Sequence, residues 1–88
     1  MRVANRDCRE FVNRLRPFEG SNLEGYFMGD AYVVVSYGWF PLFVNKGGKW
    51  YTHEEKYSVS TSKQKSQSYP NGEVQVVPFS ELKGLAKI

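Results

Sequence analysis

Lysines and hydroxyls crowd the stretch "KYSVSTSKQKSQ", residues 56–67, and no acid occurs from residue 56 to residue 72. Lys56, Lys63 and Lys65 supply ammonium groups there, and Ser58, Ser60, Thr61, Ser62 and Ser66 supply hydroxyl donors. Phosphate oxygens take hydrogen bonds from both kinds of group. Tyr57, Tyr69 and Trp50 are rings on which bases can stack. Tyr57, Val59 and Thr61 alternate as a strand does, which argues for order. The expected ligand-binding set is Tyr57, Ser58, Ser60, Thr61, Ser62, Lys63, Lys65 and Gln67. A solvated connector of the same Ser/Gln/Lys composition is the competing explanation.

Other chemistry finds less support. Zinc needs clustered His, Cys or carboxylates at set spacings, and the chain has one cysteine, Cys8, and one histidine, His53, far apart. Glu54 and Glu55 beside His53 offer at most a weak cation site, and a solvated turn explains them as well. A nucleophile needs a base and an orienting group, and His53 is the only imidazole. "NKGGKW" lacks the spacing of a phosphate-binding P-loop. The expectation is a protein without catalytic residues, metal or cofactor, hence not an enzyme.

The whole chain has 88 residues, a net charge of +3 and 16% aromatics. That is one small domain, residues 1–88, whose thin core leans on large rings. A single cysteine excludes an internal disulfide. The N-terminus lacks an apolar leader, and the most apolar run, residues 31–44, is too short to span a bilayer. A cytoplasmic protein with no membrane partner is expected.

Charge is unevenly spread. All five arginines lie in residues 1–16 and every lysine at 46 or beyond, while residues 17–45 carry three acids and no base. Residues 5–16, "NRDCREFVNRLR", read as a helix with Cys8, Phe11, Val12 and Leu15 on one face. Asp7 with Glu10, or Asn5, should cap it, and Pro17 should end it. Arg2, Arg6, Arg9, Asn13 and Arg16 then form a stripe opposite the apolar face, either an ordinary solvated face or a partner surface. Cys8, on the buried side, should be inert.

Strands are expected at 22–28, 31–37, 39–45, 50–53 and 73–79, with turns at 29–30, 46–49 and 70–72. "AYVVVSY" should be central, and Pro41, lacking an N–H, should mark an edge or a bulge. Val33, Val35, Phe43, Val76, Phe11 and Leu15 are the expected core. Residues 80–88 should form a short helix capped by Ser80, with Leu82 and Leu85 inward.

"RPFEGSNLEG" (16–25), "YVVVSYGWFPLFV" (32–44), "WY" (50–51), "KYSVSTSKQKSQ" (56–67) and Pro70 together form a recognisable string. It resembles an uncharacterised family of small proteins from bacteriophages and related mobile elements, with the pattern "KPFxGxNLxG", "YVVxSYGxxxPLxV", a Trp-Tyr pair, "KYSxTTSKHxSQ" and a proline. The resemblance covers residues 16–70. It implies a viral or mobile-element origin, and so a host-cell cytoplasmic location, but no established activity. Gln64 stands where the pattern has a histidine. A catalytic role for that position would be missing here.

The expected fold is α+β: an N-terminal helix packed on a four- to five-stranded antiparallel sheet, with a short C-terminal helix. The expected function is non-enzymatic binding of nucleic acid or another phosphate-bearing ligand through residues 56–67. The alternative is a protein–protein effector that inhibits a host enzyme or an anti-phage defence complex. It would use exposed aromatics (Trp39, Phe40, Trp50, Tyr51) and the stripe of Arg2, Arg6, Arg9 and Arg16, since Trp and Arg are favoured anchors.

Overall fold

The computed structural model describes residues 4, 7–20, 22–53, 70 and 72–86. The described chain is α+β, with helix α1 (Cys8–Asn13), strands β1 (Phe18–Glu19), β2 (Leu23–Met28), β3 (Ala31–Ser36), β4 (Phe40–Lys46), β5 (Lys49–Thr52) and β6 (Val74–Val76), and helix α2 (Phe79–Ala86). The strands form one sheet in sequence order, one more strand than expected. β1 to β5 pair antiparallel, but β5 and β6 run parallel, matching Trp50 with Val74 and Thr52 with Val76. The sheet is therefore not wholly antiparallel. A parallel neighbour needs a crossover of a dozen or more residues, and the stretch 53–73 that separates β5 from β6 in sequence is long enough for one.

β3 lies inside the sheet, as its β-branched run predicts, and every residue in it is buried. Directly paired residues share a face, and the two faces carry separate clusters. Tyr32, Val34 and Phe43 join Cys8, Val12, Phe18 and Leu23 on one side. Ala31, Val33, Val35 and Val44 join Leu82 on the other, with Tyr51, Val77 and Leu85 packed against them. Of the expected core, Val33, Val35 and Phe43 are fully buried, and Phe11 and Leu15 are partly so. Val76 is not core: it is 57% exposed. It sits in an edge strand opposite Thr52, and Val77, the next residue, enters the α2 side instead.

Pro41 does mark a bulge. Val34 pairs with Phe43 but Val35 with Pro41, so Leu42 is the extra residue. Both Leu42 and Phe43 join the α1-side cluster, as a bulge that points two side chains one way allows.

α1 is shorter than expected. Leu15, at φ 53, ends it before Pro17 does. Arg16 N–H donates to Phe11 O (2.9 Å) and Leu15 N–H to Val12 O (3.1 Å), the paired bonds of a Schellman motif. Arg16 thus lies outside the helix. The Asp7–Glu10 cap is not formed: Asp7 precedes the helix with no side-chain capping bond. Ser80 is likewise no cap, because α2 begins one residue earlier at Phe79 and opens with Leu82 N–H on Pro78 O.

Candidate functional site

Three residues, Tyr37 to Trp39, join β3 to β4. Ser36 pairs with Phe40, and Trp39 N–H donates to Ser36 O at 3.2 Å. Tyr37 (φ 55) and Gly38 (φ 78) both take positive φ, as the two central residues of a type I′ β-turn over residues 36–39 do. Gly38 adopts it without steric penalty, whereas a tyrosine there strains its Cβ against the backbone. Tyr37 N–H donates to Asn22 O (2.9 Å), fastening the turn to β2. Both rings face solvent: Tyr37 is 44% and Trp39 49% exposed. Trp39 meets the buried Phe40 edge-on, with centroids 5.4 Å apart.

An acidic groove adjoins this tip. Glu24 of β2 places Oε1 3.9 Å from where a Cβ on Gly38 would sit. Its cross-strand partner is Glu19 of β1, so two carboxylates stand directly opposite each other. Pro17, Phe18, Gly25 and Tyr26 complete an open groove of about 410 Å³ with them. Burial, and then the charge on Glu24, push the Tyr26 phenol pKa upward, so Tyr26 adds no third charge.

At the far end of the sheet a lysine pair mirrors this arrangement. Lys46 and Lys49 face each other across the Gly47–Gly48 turn. A second groove, of about 350 Å³, runs along Gly48, Lys49, Trp50, Glu73 and Gln75.

Of the residues expected to bind, Trp39 is exposed, as are Arg9 and Arg16. Arg2 and Arg6 lie outside the described residues. So does the whole set Tyr57, Ser58, Ser60, Thr61, Ser62, Lys63, Lys65 and Gln67, together with Glu54 and Glu55. Phe40 is not an exposed anchor: it is buried, stacked on Phe79 at 5.1 Å. Trp50 and Tyr51 are half-buried on opposite faces, Trp50 edge-on to Tyr32 and Phe43, Tyr51 against the α2-side cluster.

His53 is fully enclosed, its Nε2 donating to Pro41 O at 2.7 Å and its ring edge-on to both Phe40 and Phe79. Cys8 is fully buried beside Ala4 O, and burial, then the charge on Asp7, push its thiol pKa up to about 11. A thiol so placed is a poor nucleophile at neutral pH. Among the described residues no three His, Cys, Asp or Glu side chains come together as a metal site, and no described helix is long and apolar enough to cross a membrane.

Sequence reasoning passed over Tyr37, Glu19, Glu24 and Tyr26. Two signals pointed to them: the base-free span 17–45, and a Tyr-Gly turn where Asn-Gly would be ordinary. No family model, curated protein or solved structure matches the chain.

Proposed function

We propose that this is a non-enzymatic binding protein that engages a protein partner through the β3–β4 tip, Tyr37 and Trp39. The observation that carries it is the pair of half-exposed rings on a turn strained at Tyr37. Water-facing aromatics are costly to maintain and are favoured anchors at interfaces. Strain in a turn persists where the surrounding structure holds it, and it clusters at functional sites. In this reading α1 packs on the sheet through Cys8 and Val12 and leaves Arg9 outward, beside a partner that is a host enzyme or defence complex. The test is capture from nuclease-treated host lysate by wild type and by Trp39→Ala. Loss of a specific band with the variant supports the proposal, and identical capture removes it.

A second proposal is a phosphate-bearing ligand, nucleic acid included, held through residues 56–67. The observation favouring it is the Lys46–Lys49 pair beside the Trp50 groove, positive charge next to a ring. Oligonucleotide titration at several salt concentrations tests it. Lys63→Ala with Lys65→Ala should lower the salt slope by about 2, near one unit per lost phosphate contact.

A further inference from the structure

We infer that the partner of the hairpin tip presents an arginine side chain, and that its guanidinium docks in the groove between Glu19 and Glu24. The inference rests on the protein-binding reading of Tyr37 and Trp39 and names the chemistry of what they meet.

Glu19 and Glu24 are direct cross-strand partners. Like charges in that position repel and weaken a sheet. Neither carboxylate is ion-paired among the described residues. The chain carries a net charge of +3, yet residues 17–45 hold no base at all. The paired acids of the groove thus run against the sign of the whole molecule.

The groove has room for a side chain, at about 410 Å³, and opens to solvent. It adjoins the aromatic tip through Glu24, which lines the groove and whose Oε1 lies 3.9 Å from where a Cβ on Gly38 would sit. Two carboxylates and neighbouring rings suit a guanidinium better than an ammonium. The planar fork donates to both acids and stacks on aromatic faces, whereas an ammonium is a compact, strongly hydrated charge. Binding would also relieve the repulsion between Glu19 and Glu24.

The test uses the full chain and two synthetic peptides, acetyl-Gly-Arg-Leu-Arg-Gly-amide and its counterpart with citrulline in place of arginine. Citrulline keeps the shape and removes the charge. Titration followed by amide and indole NMR shifts should place the arginine peptide at Glu19, Glu24, Tyr26 and Trp39. The arginine peptide should bind about tenfold or more tighter than the citrulline peptide, the scale expected of a charge-assisted bidentate contact. Glu19→Gln with Glu24→Gln should abolish that discrimination without lowering the melting temperature, since the substitution removes a repulsion. Trp39→Ala should weaken both peptides.

Equal binding of the two peptides, discrimination retained in the glutamine variant, or no arginine-peptide binding at millimolar concentration overturns the inference. So do shifts that map to another surface. If the glutamine variant still captures the partner that Trp39→Ala loses, the cationic partner falls and the aromatic docking tip stands. If Trp39→Ala loses nothing either, both fall.

Discussion

His53 Nε2 lies 2.7 Å from the carbonyl oxygen of Pro41. A carbonyl only accepts, so this nitrogen carries the proton. The neighbouring residue does the same for the next carbonyl: Thr52 Oγ1 donates to Leu42 O at 2.8 Å. Pro41 and Leu42 are the bulged residues of β4, and a bulge disrupts the regular ladder around it. Two consecutive side chains at the end of β5 bind the two successive carbonyls at the bulge. The chain's one histidine is thereby a structural donor, held edge-on against Phe40 and Phe79.

His53→Ala should therefore destabilise the fold by about 2–4 kcal/mol, combining a buried carbonyl left without its donor and a cavity beside two stacked rings. His53→Gln, which keeps a donor, should recover part of that loss. Urea unfolding measures both. A change below about 1 kcal/mol for the alanine variant, the level of an ordinary surface substitution, would remove the structural role.

Gly25 carries a second test. It lies in mid-strand opposite Phe18, where glycine weakens a strand unless something must come close. A Cβ at Gly25 would overlap the Phe18 ring and the Tyr32 hydroxyl. That hydroxyl donates to Arg16 O at 2.7 Å, tying the segment after α1 to β3. Gly25→Ala should cost roughly 1–3 kcal/mol or more, as overpacking does. A melting temperature equal to wild type would show that Phe18 can move aside freely.

β2, β3, β4 and β5 were legible because alternation, Gly29 and the Gly47–Gly48 pair punctuate them sharply. The Pro41 bulge was legible because a missing N–H leaves few places in a sheet. β1 was not: two residues, Phe18 and Glu19, are too few for any period. The parallel pairing of β6 was not, because "EVQVVPF" alternates equally well beside either kind of neighbour. That ambiguity also misplaced Val76. The early end of α1 depends on Leu15 at positive φ, which leucine does not advertise. Trp39 stood out in the sequence as a large ring beside a turn. The Glu19–Glu24 juxtaposition depends on β1 and stayed hidden with it. The Ser/Lys segment, the sequence's strongest binding signal, falls outside the described residues.

Cys8 and Tyr32 give the fold an alkaline limit. Burial, reinforced by Asp7, raises the Cys8 thiol from 9.0 to about 11. Burial, reinforced by Cys8, raises the Tyr32 phenol as well. A raised folded value for an acid means that the neutral form is the one the fold prefers. Between pH 9 and 11 the unfolded chain has lost the Cys8 proton that the native chain retains, so stability falls as pH rises. It is present in full below pH 9. Urea unfolding from pH 7 to 11 should show this decline, and Cys8→Ala should make it shallower. At pH 8 native Cys8 should react with a thiol reagent far more slowly than in denaturant. Equal rates would contradict the burial of the thiol.

The hairpin tip offers the sharpest separation of stability from binding. Tyr37 occupies the first of two positive-φ positions, where asparagine followed by glycine is the preferred pair. Tyr37→Asn gives the turn that pair. Its ring is 44% exposed, so only part of a full ring's burial is lost with it. The variant should gain roughly 0.5–1 kcal/mol, about the strain a non-glycine residue bears at positive φ less the packing loss. It should also lose affinity for whatever the tip engages, because the ring is gone. A sequence selected for folding alone would not keep tyrosine at this position. Thermal unfolding and partner binding measured on the same variant decide the matter. Higher stability with weaker binding supports a tip strained for contact. Lower stability with unchanged binding would make Tyr37 a structural residue and leave Trp39 alone as the anchor.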